Sequence, residues 1–419
     1  MWGCFLKIDI MKTYVWVLYV GLLLCSCGAN GSNKQNNGEN ASAEQTQETK
    51  KEQGLATLDV TKDYPEKKIV LQDLADVKYI PLETKKNALL TNSSAMLGYV
   101  SDSLIVAYTL EEDIILFNGD GSVRSSFCHA GQGSKEYQSI NGIVVDPQAQ
   151  EIFVEDYLLR YRMQVYSFTG QYKRTLPIPF KMALGSILDF SADCLLVCDR
   201  DVDQQGISNR AKPYMLLSKK TGKIVKELDI HFTKRISNRL SKPLGENRSI
   251  SAALAYDPII RCEDSYVIGD LSADTIYTYT PQGVLSPMLV RTPPVLSMET
   301  PKVICPDFKT GSYFFFDLVD FEFDFETRTG FPSQYMVYDY AAGKPYVCKL
   351  VNRDCEELSC GLGGGSHTNT VWNTTCYLIP SSDLVEQSEA GNVRGPLKEI
   401  AATRAEDDNP VLVIVRFKD

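Results

Sequence analysis

Leu104-Ile105-Val106 opens a unit that runs through Asp113-Ile114-Ile115-Leu116-Phe117-Asn118-Gly119-Asp120 and closes at Gly121. Apolar residues recur there with the period of a half-buried strand. The glycine falls where a tight hairpin needs positive φ. The same phrase returns at Ile152-Phe153-Val154, which leads through Met163-Gln164-Val165-Tyr166-Ser167-Phe168-Thr169 to Gly170, and at Tyr266-Val267-Ile268, which leads through Thr275 to Gln282 and ends at Gly283. Weaker copies end at Gly222 and Gly343. A third run, such as Ser122-Val123-Arg124-Ser125-Ser126-Phe127 or Gln171-Tyr172-Lys173-Arg174-Thr175-Leu176, follows each of the first two glycines.

These glycines stand 49, 52, 61 and 60 residues apart. That is the length of a four-stranded propeller blade with a loop insertion. The expected fold is therefore all-β: a six-bladed or seven-bladed β-propeller, with spacing alone not settling the count, and a β-sandwich array as a more distant alternative. Val411-Leu412-Val413-Ile414-Val415-Arg416-Phe417 is a strand at the far end of the chain. Pairing with Ile69-Val70-Leu71 or with Val77-Lys78-Tyr79-Ile80 would close the ring. Gly395-Pro396-Leu397-Lys398-Glu399-Ile400 reads as a short helical insertion before that strand, with proline in its first turn.

The chain has 419 residues, 44% of them hydrophobic, and a formal net charge of −10. Such a composition builds a folded body. A nucleic-acid partner is not expected, because phosphate binding needs concentrated Lys and Arg.

The first residues carry an address. Met11-Lys12 precedes an apolar run from Tyr14 to Leu24, about 11 residues against the roughly 20 that span a bilayer. Leu22-Leu23-Leu24-Cys25-Ser26-Cys27 follows, so residues 1–26 are read as a signal peptide whose true start is Met11. Residues 27–56 are read as a polar tether, which at about 29 flexible residues reaches roughly 30 Å. Residues 57–419 are read as the propeller.

The Cys27 segment resembles the lipobox of bacterial lipoproteins, and this resemblance implies lipidation of Cys27 and a membrane partner through the lipid anchor. Gly28 after that cysteine favours the outer membrane, on its periplasmic face or at the cell surface. Asp73–Thr84, Ala130–Asp146, Val165–Pro179 and Glu406–Lys418 resemble a family of Gram-negative envelope lipoproteins known as six-bladed, NHL-repeat-like propellers. In that family the pattern near Gly131 reads Gly-x-Gly-Pro-Gly-Glu-Tyr; here Ser134 and Lys135 replace the Pro and Gly. No general activity is implied by this resemblance.

Candidate chemistry is sparse. Gly131, Gln132, Gly133, Lys135, Glu136 and Tyr137 form a glycine-rich loop that could offer backbone N–H groups to an anion, or serve as an inter-blade turn near the channel mouth. Glu322, Asp324 and Glu326 alternate with Phe321, Phe323 and Phe325, which on a strand sets an acidic face against an aromatic one. His129, His231 and His367 show no metal-ligand spacing, and Gly363-Gly364-Gly365-Ser366-His367 reads as a flexible loop. Cys194 and Cys198 share one strand face as core thiols. Cys348, Cys355, Cys360 and Cys376 could give one disulfide or, less readily, a zinc site.

No cofactor and no catalytic residue is assigned. The functional expectation is a binding module for a small molecule, glycan, peptide or envelope protein; a propeller hydrolase or lyase with a channel metal and a structural subunit of an envelope complex are the alternatives.

Overall fold

Five sheets follow one another along the chain, each built on four antiparallel strands in sequence order, with a two-strand ladder inserted midway in the fifth, and a sixth is shared between the two ends. The computed structural model describes residues 55–90, 95–179, 182–200, 210–230, 234–245, 248–262, 264–358, 360, 369–370 and 372–418. The inner strands of blades one to five are Met96–Val100, Ile140–Asp146, Leu184–Asp189, Ile259–Arg261 and Lys302–Lys309. Several of these strands touch their neighbours around a common axis. The result is the six-bladed β-propeller.

All five repeat glycines lie in the hairpin between the third and fourth strands of their blades, with φ of 87° at Gly121, 77° at Gly170, 67° at Gly222, 82° at Gly283 and 64° at Gly343. The repeat glycines thus mark the same turn five times. Gly121 N–H bonds the Asn118 carbonyl and Gly170 N–H that of Ser167, each at 2.9 Å.

Blade six closes the ring. Val411–Phe417 pairs antiparallel with Thr374–Ile379 on one side and with Ala75–Pro81 on the other, with Val77 opposite Val415 and Ile80 opposite Leu412. The Val77–Ile80 pairing is thus the one used. Ile69 and Val70 belong instead to Glu66–Val70, a parallel fifth strand on the outer edge of blade five, and Ala56–Asp59 adds a fifth strand to blade four. This strap covers two edges that would otherwise expose unpaired backbone groups. Asn369–Thr370 runs parallel to the inner strand of blade one, ahead of Thr374–Ile379.

The core is a set of layers between adjacent blades. Val413 and Val415 pack with Phe308, Phe315 and Val337 of blade five, while Leu412 and Ile414 pack with Leu97, Ile105 and Ile115 of blade one. Strand alternation sends successive side chains to opposite faces, and both faces here are buried, so the strand reads as a continuous apolar run.

The closing blade carries two helices between its strands, Ser381–Glu389 and Gly395–Ala401. The second is the helix read from the sequence, with Pro396 in the first turn and Leu397 and Ala401 buried. The first has the proline Pro380 at its N-cap and had no clear sequence signal. Arg239–Pro243 and Ser249–Ala253 form a separate two-stranded sheet, and Leu244 N–H bonds the Arg248 carbonyl at 2.7 Å at its end.

Two expectations are corrected by the fold. The run from Asp320 to Glu326 is not one strand: Tyr313–Asp320 ends there, and Phe323–Asp324 makes a two-residue ladder with Thr329–Gly330. Asp324 Oδ1 accepts from the N–H groups of Glu326 and Thr327, and that turn chemistry outcompetes the extended pattern. Glu322, Asp324 and Glu326 are exposed, as the alternation implied, but on a turn. Cys348, Cys355, Cys360 and Cys376 are all free thiols. Cys376 faces blade one while Cys348, Cys355 and Cys360 lie in or against the layer between blades five and six, so strand alternation sets Cys376 apart from the other three.

Candidate functional site

Blade five carries a cleft of about 560 Å³ lined by Asp307, Asp317, Tyr335, Cys348, Lys349 and the segment from Glu356 to Leu358. The four adjacent strands of the blade build it. Asp317 stands opposite Tyr335 across the ladder, and Asp307 sits at a β-bulge in the inner strand, between Pro306 and Phe308. A bulge re-aims the extra residue. Asp307 Oδ2 thereby accepts the Tyr335 hydroxyl at 2.5 Å.

Burial dominates the electrostatics of this group. It pushes the Asp307 carboxyl up to about 7, opposed by the Tyr335 hydrogen bond and reinforced by the negative charge of Asp317. Burial alone lifts Asp317 to about 6, and it holds the Tyr335 phenol well above its ordinary range. The Cys348 thiol is pushed up to about 12, so it is no nucleophile at neutral pH. Glu356 at the rim is paired with Lys68 at 2.7 Å. Two carboxyls that titrate near neutrality can hold a cation, exchange a proton or hydrogen-bond a hydroxyl.

Asp257, just before the inner strand of blade four, lies near the axis. It accepts from Ser186 Oγ of blade three at 3.4 Å, and its charge acts on Tyr108 of blade one and Asp307 of blade five. Elsewhere on the axis, Arg261 of blade four donates to the Thr370 carbonyl at 3.2 Å and lies 3.9 Å from the Trp372 ring centroid. That contact reaches across the ring from the closing blade.

The glycine-rich loop connects blades one and two. Gly131 N–H bonds the Tyr137 carbonyl at 2.9 Å, and Gly133 N–H bonds Glu136 Oε2 at 2.7 Å. A Cβ at Gly131 would collide with the Glu136 carboxylate, so Glu136 itself fills the place an outside anion would take. Tyr137 is fully buried, and the third strand of blade two, through Arg162, Gln164 and Tyr166, donates to the carbonyls of Ser134, Lys135 and Glu136. Gln132 lies at the exposed tip and Lys135 over the Tyr172 ring. The loop is therefore packed on a third strand, away from the axis.

His129 stacks on Tyr166 at 4.9 Å and its Nε2 meets the Gly170 carbonyl at 2.6 Å, a packing role. Among the described residues no group of three His, Cys, Asp or Glu could hold a metal ion. Cys27, His231, His367 and Gly363–Ser366 lie outside the described residues. Sequence reading assigned no site role to Asp307, Asp317, Tyr335, Glu155 or Asp257. The available signal was a lone acid inside an apolar run, as in Tyr313-Phe314-Phe315-Phe316-Asp317-Leu318-Val319.

A family model, DUF4934, "Domain of unknown function", matches residues 55–291, more than half of the chain. The chain belongs to the DUF4934 family. In this DUF4934 protein the matched span covers the strap, the closing outer strand Ala75–Pro81, blades one to three and nearly all of blade four. The fold is similar to a crystal structure from Bacteroides fragilis NCTC 9343 named "Putative exported protein", at 13% identity, covering 87% of this chain and 99% of that one, with a TM-score of 0.57. The RRP9 WD40 repeats, at 9% identity, 82% and 98% coverage and a TM-score of 0.38, are too distant to carry an argument. No curated protein matches the DUF4934 chain by sequence.

Proposed function

We propose that this propeller is an exported, lipid-anchored binding module that takes a small amine-bearing ligand in the cleft of blade five. The observation that carries it is the pair Asp307 and Asp317, whose carboxyls burial holds at about 7 and about 6 in a concave site. A protonated amine entering there would offset the desolvation of both carboxylates and draw them into their charged forms. Binding would release protons. Affinity should then rise between pH 5 and pH 8, whereas a neutral glycan would bind with little pH dependence.

Calorimetry of the full chain with a diamine, a lysine-rich peptide and neutral oligosaccharides at both pH values tests this. Tighter amine binding at pH 8, lost in Asp307→Asn and Asp317→Asn, is expected; sugar binding indifferent to both substitutions would overturn it.

The anchoring part of the proposal rests on the Leu22–Cys27 stretch, with a leader over 1–26, a tether over 27–56 and the outer membrane as destination. The similarity to an exported protein supports export at the level of fold alone. Cys27→Ser should move the protein from the membrane fraction to the soluble envelope fraction. The same carboxyl pair favours a second reading, a hydrolase or lyase using one group as acid and the other as base. Turnover of a bound ligand that Asp307→Asn abolishes while binding persists would select it.

A further inference from the structure

We propose that the ring axis holds a second polar site, built by Tyr108, Asn141, Glu155, Ser186, Arg200 and Asp257, and that its ligand is ordered water. Tyr108 is 0% exposed and its hydroxyl has no hydrogen-bond partner among the described residues. The charges of Asp257 and Glu155 bear on that phenol. Glu155, itself 4% exposed, accepts from Asn141 Nδ2 at 2.8 Å. Ser186, 2% exposed, reaches Asp257 only at 3.4 Å. Arg200 donates from Nη2 to the Tyr256 carbonyl at 2.7 Å and approaches Asp257 Oδ1 at 3.9 Å, while its Nε is buried without a partner among the described residues.

The surrounding backbone is shaped for this group. The register of the inner strands of blades two and three shifts at Asn141 and Gly185, the second residue of each strand. The first bulge aims Asn141 at Glu155. The second places a glycine where any Cβ would collide with the Arg200 side chain, so the guanidinium owes its position to Gly185.

Tyr108, Glu155, Ser186 and Asp257 come from four successive blades, and the reach of the Asp257 and Glu155 charges to Tyr108, with the Ser186–Asp257 contact, sets them beside one another. A phenol and a guanidinium N–H without partners among the described residues, beside two carboxyls, call for a small guest that both donates and accepts. Water meets that requirement, with the two to four polar partners a buried water needs.

The sign of one substitution decides it. If water bridges the phenol, Tyr108→Phe in the full chain removes a bonded group and should lower the melting temperature by several degrees. If the hydroxyl is unbonded, the same change removes a buried unpaired group, and an unchanged or higher melting temperature would overturn the proposal. Oxygen-17 relaxation dispersion on the wild type should show long-lived internal water, reduced in Tyr108→Phe. Absence of such a signal from the wild type would also overturn the proposal, even where the variant fails to accumulate. Replacing sodium by choline should leave the melting temperature unchanged; a fall would assign the site to a cation instead.

Discussion

At Asp317 burial alone sets the carboxyl, and at Asp307 the same force is opposed by a tyrosine hydroxyl. For both, the folded value lies above the ordinary carboxylate value of 3.8, so the native state binds more protons than the unfolded chain between about pH 4 and pH 7. Stability from these groups is therefore present at low pH and declines as pH rises through that window. Asp317→Asn, which removes the charge and keeps the shape, should raise the melting temperature relative to wild type at pH 8. At pH 4 the difference should vanish, and thermal denaturation at the two pH values reads it. Glu155, which burial lifts to about 7 from 4.5, predicts the same sign for Glu155→Gln. None of this was legible in the sequence. The composition of an acid-bearing strand is visible there, but the depth at which it is buried depends on strands from elsewhere in the chain.

The hairpin glycines, by contrast, are legible in the chain itself, because a turn requiring positive φ writes its demand into one residue. They are not equivalent in cost. Gly343 has open space where a Cβ would stand, so Gly343→Ala should cost about 1 kcal/mol for the left-handed conformation alone. At Gly222 a Cβ would also run into the Pro177 carbonyl oxygen of the neighbouring blade, so Gly222→Ala should cost more; urea denaturation of the two variants orders them. Blades two and three are joined by a buried ion cluster in which Lys219 meets Asp146 and Asp189, each at 2.5 Å, with the lysine 5% exposed. Removing the cation leaves two carboxylates without their partner. Lys219→Met should destabilise by about 3–5 kcal/mol, and adding Asp146→Asn and Asp189→Asn should recover part of that loss. The acidic run of blade five failed as a strand reading because Asp324 supplies a turn that period-2 alternation does not reveal.

Closure of the ring rests on Val411–Phe417, the strand between two others that joins the two ends of the chain. Deleting residues 411–419 should leave Ala75–Pro81 without its partner and expose the layers facing blades one and five. The expected result is loss of the cooperative thermal transition; a variant that still melts sharply would show that five blades hold together alone. The sequence by itself determined the repeat, the turns, the closing strand and the all-β class, because strand periodicity and turn geometry are local and each is stated within a few neighbouring residues. Tertiary structure alone decided the blade count, the strap across blades four and five, the free state of the described cysteines and the candidate sites. Asp307 meets Tyr335 from 28 positions away and Ser186 meets Asp257 from 71, so their burial and electrostatics come into being only when separate strands and blades converge.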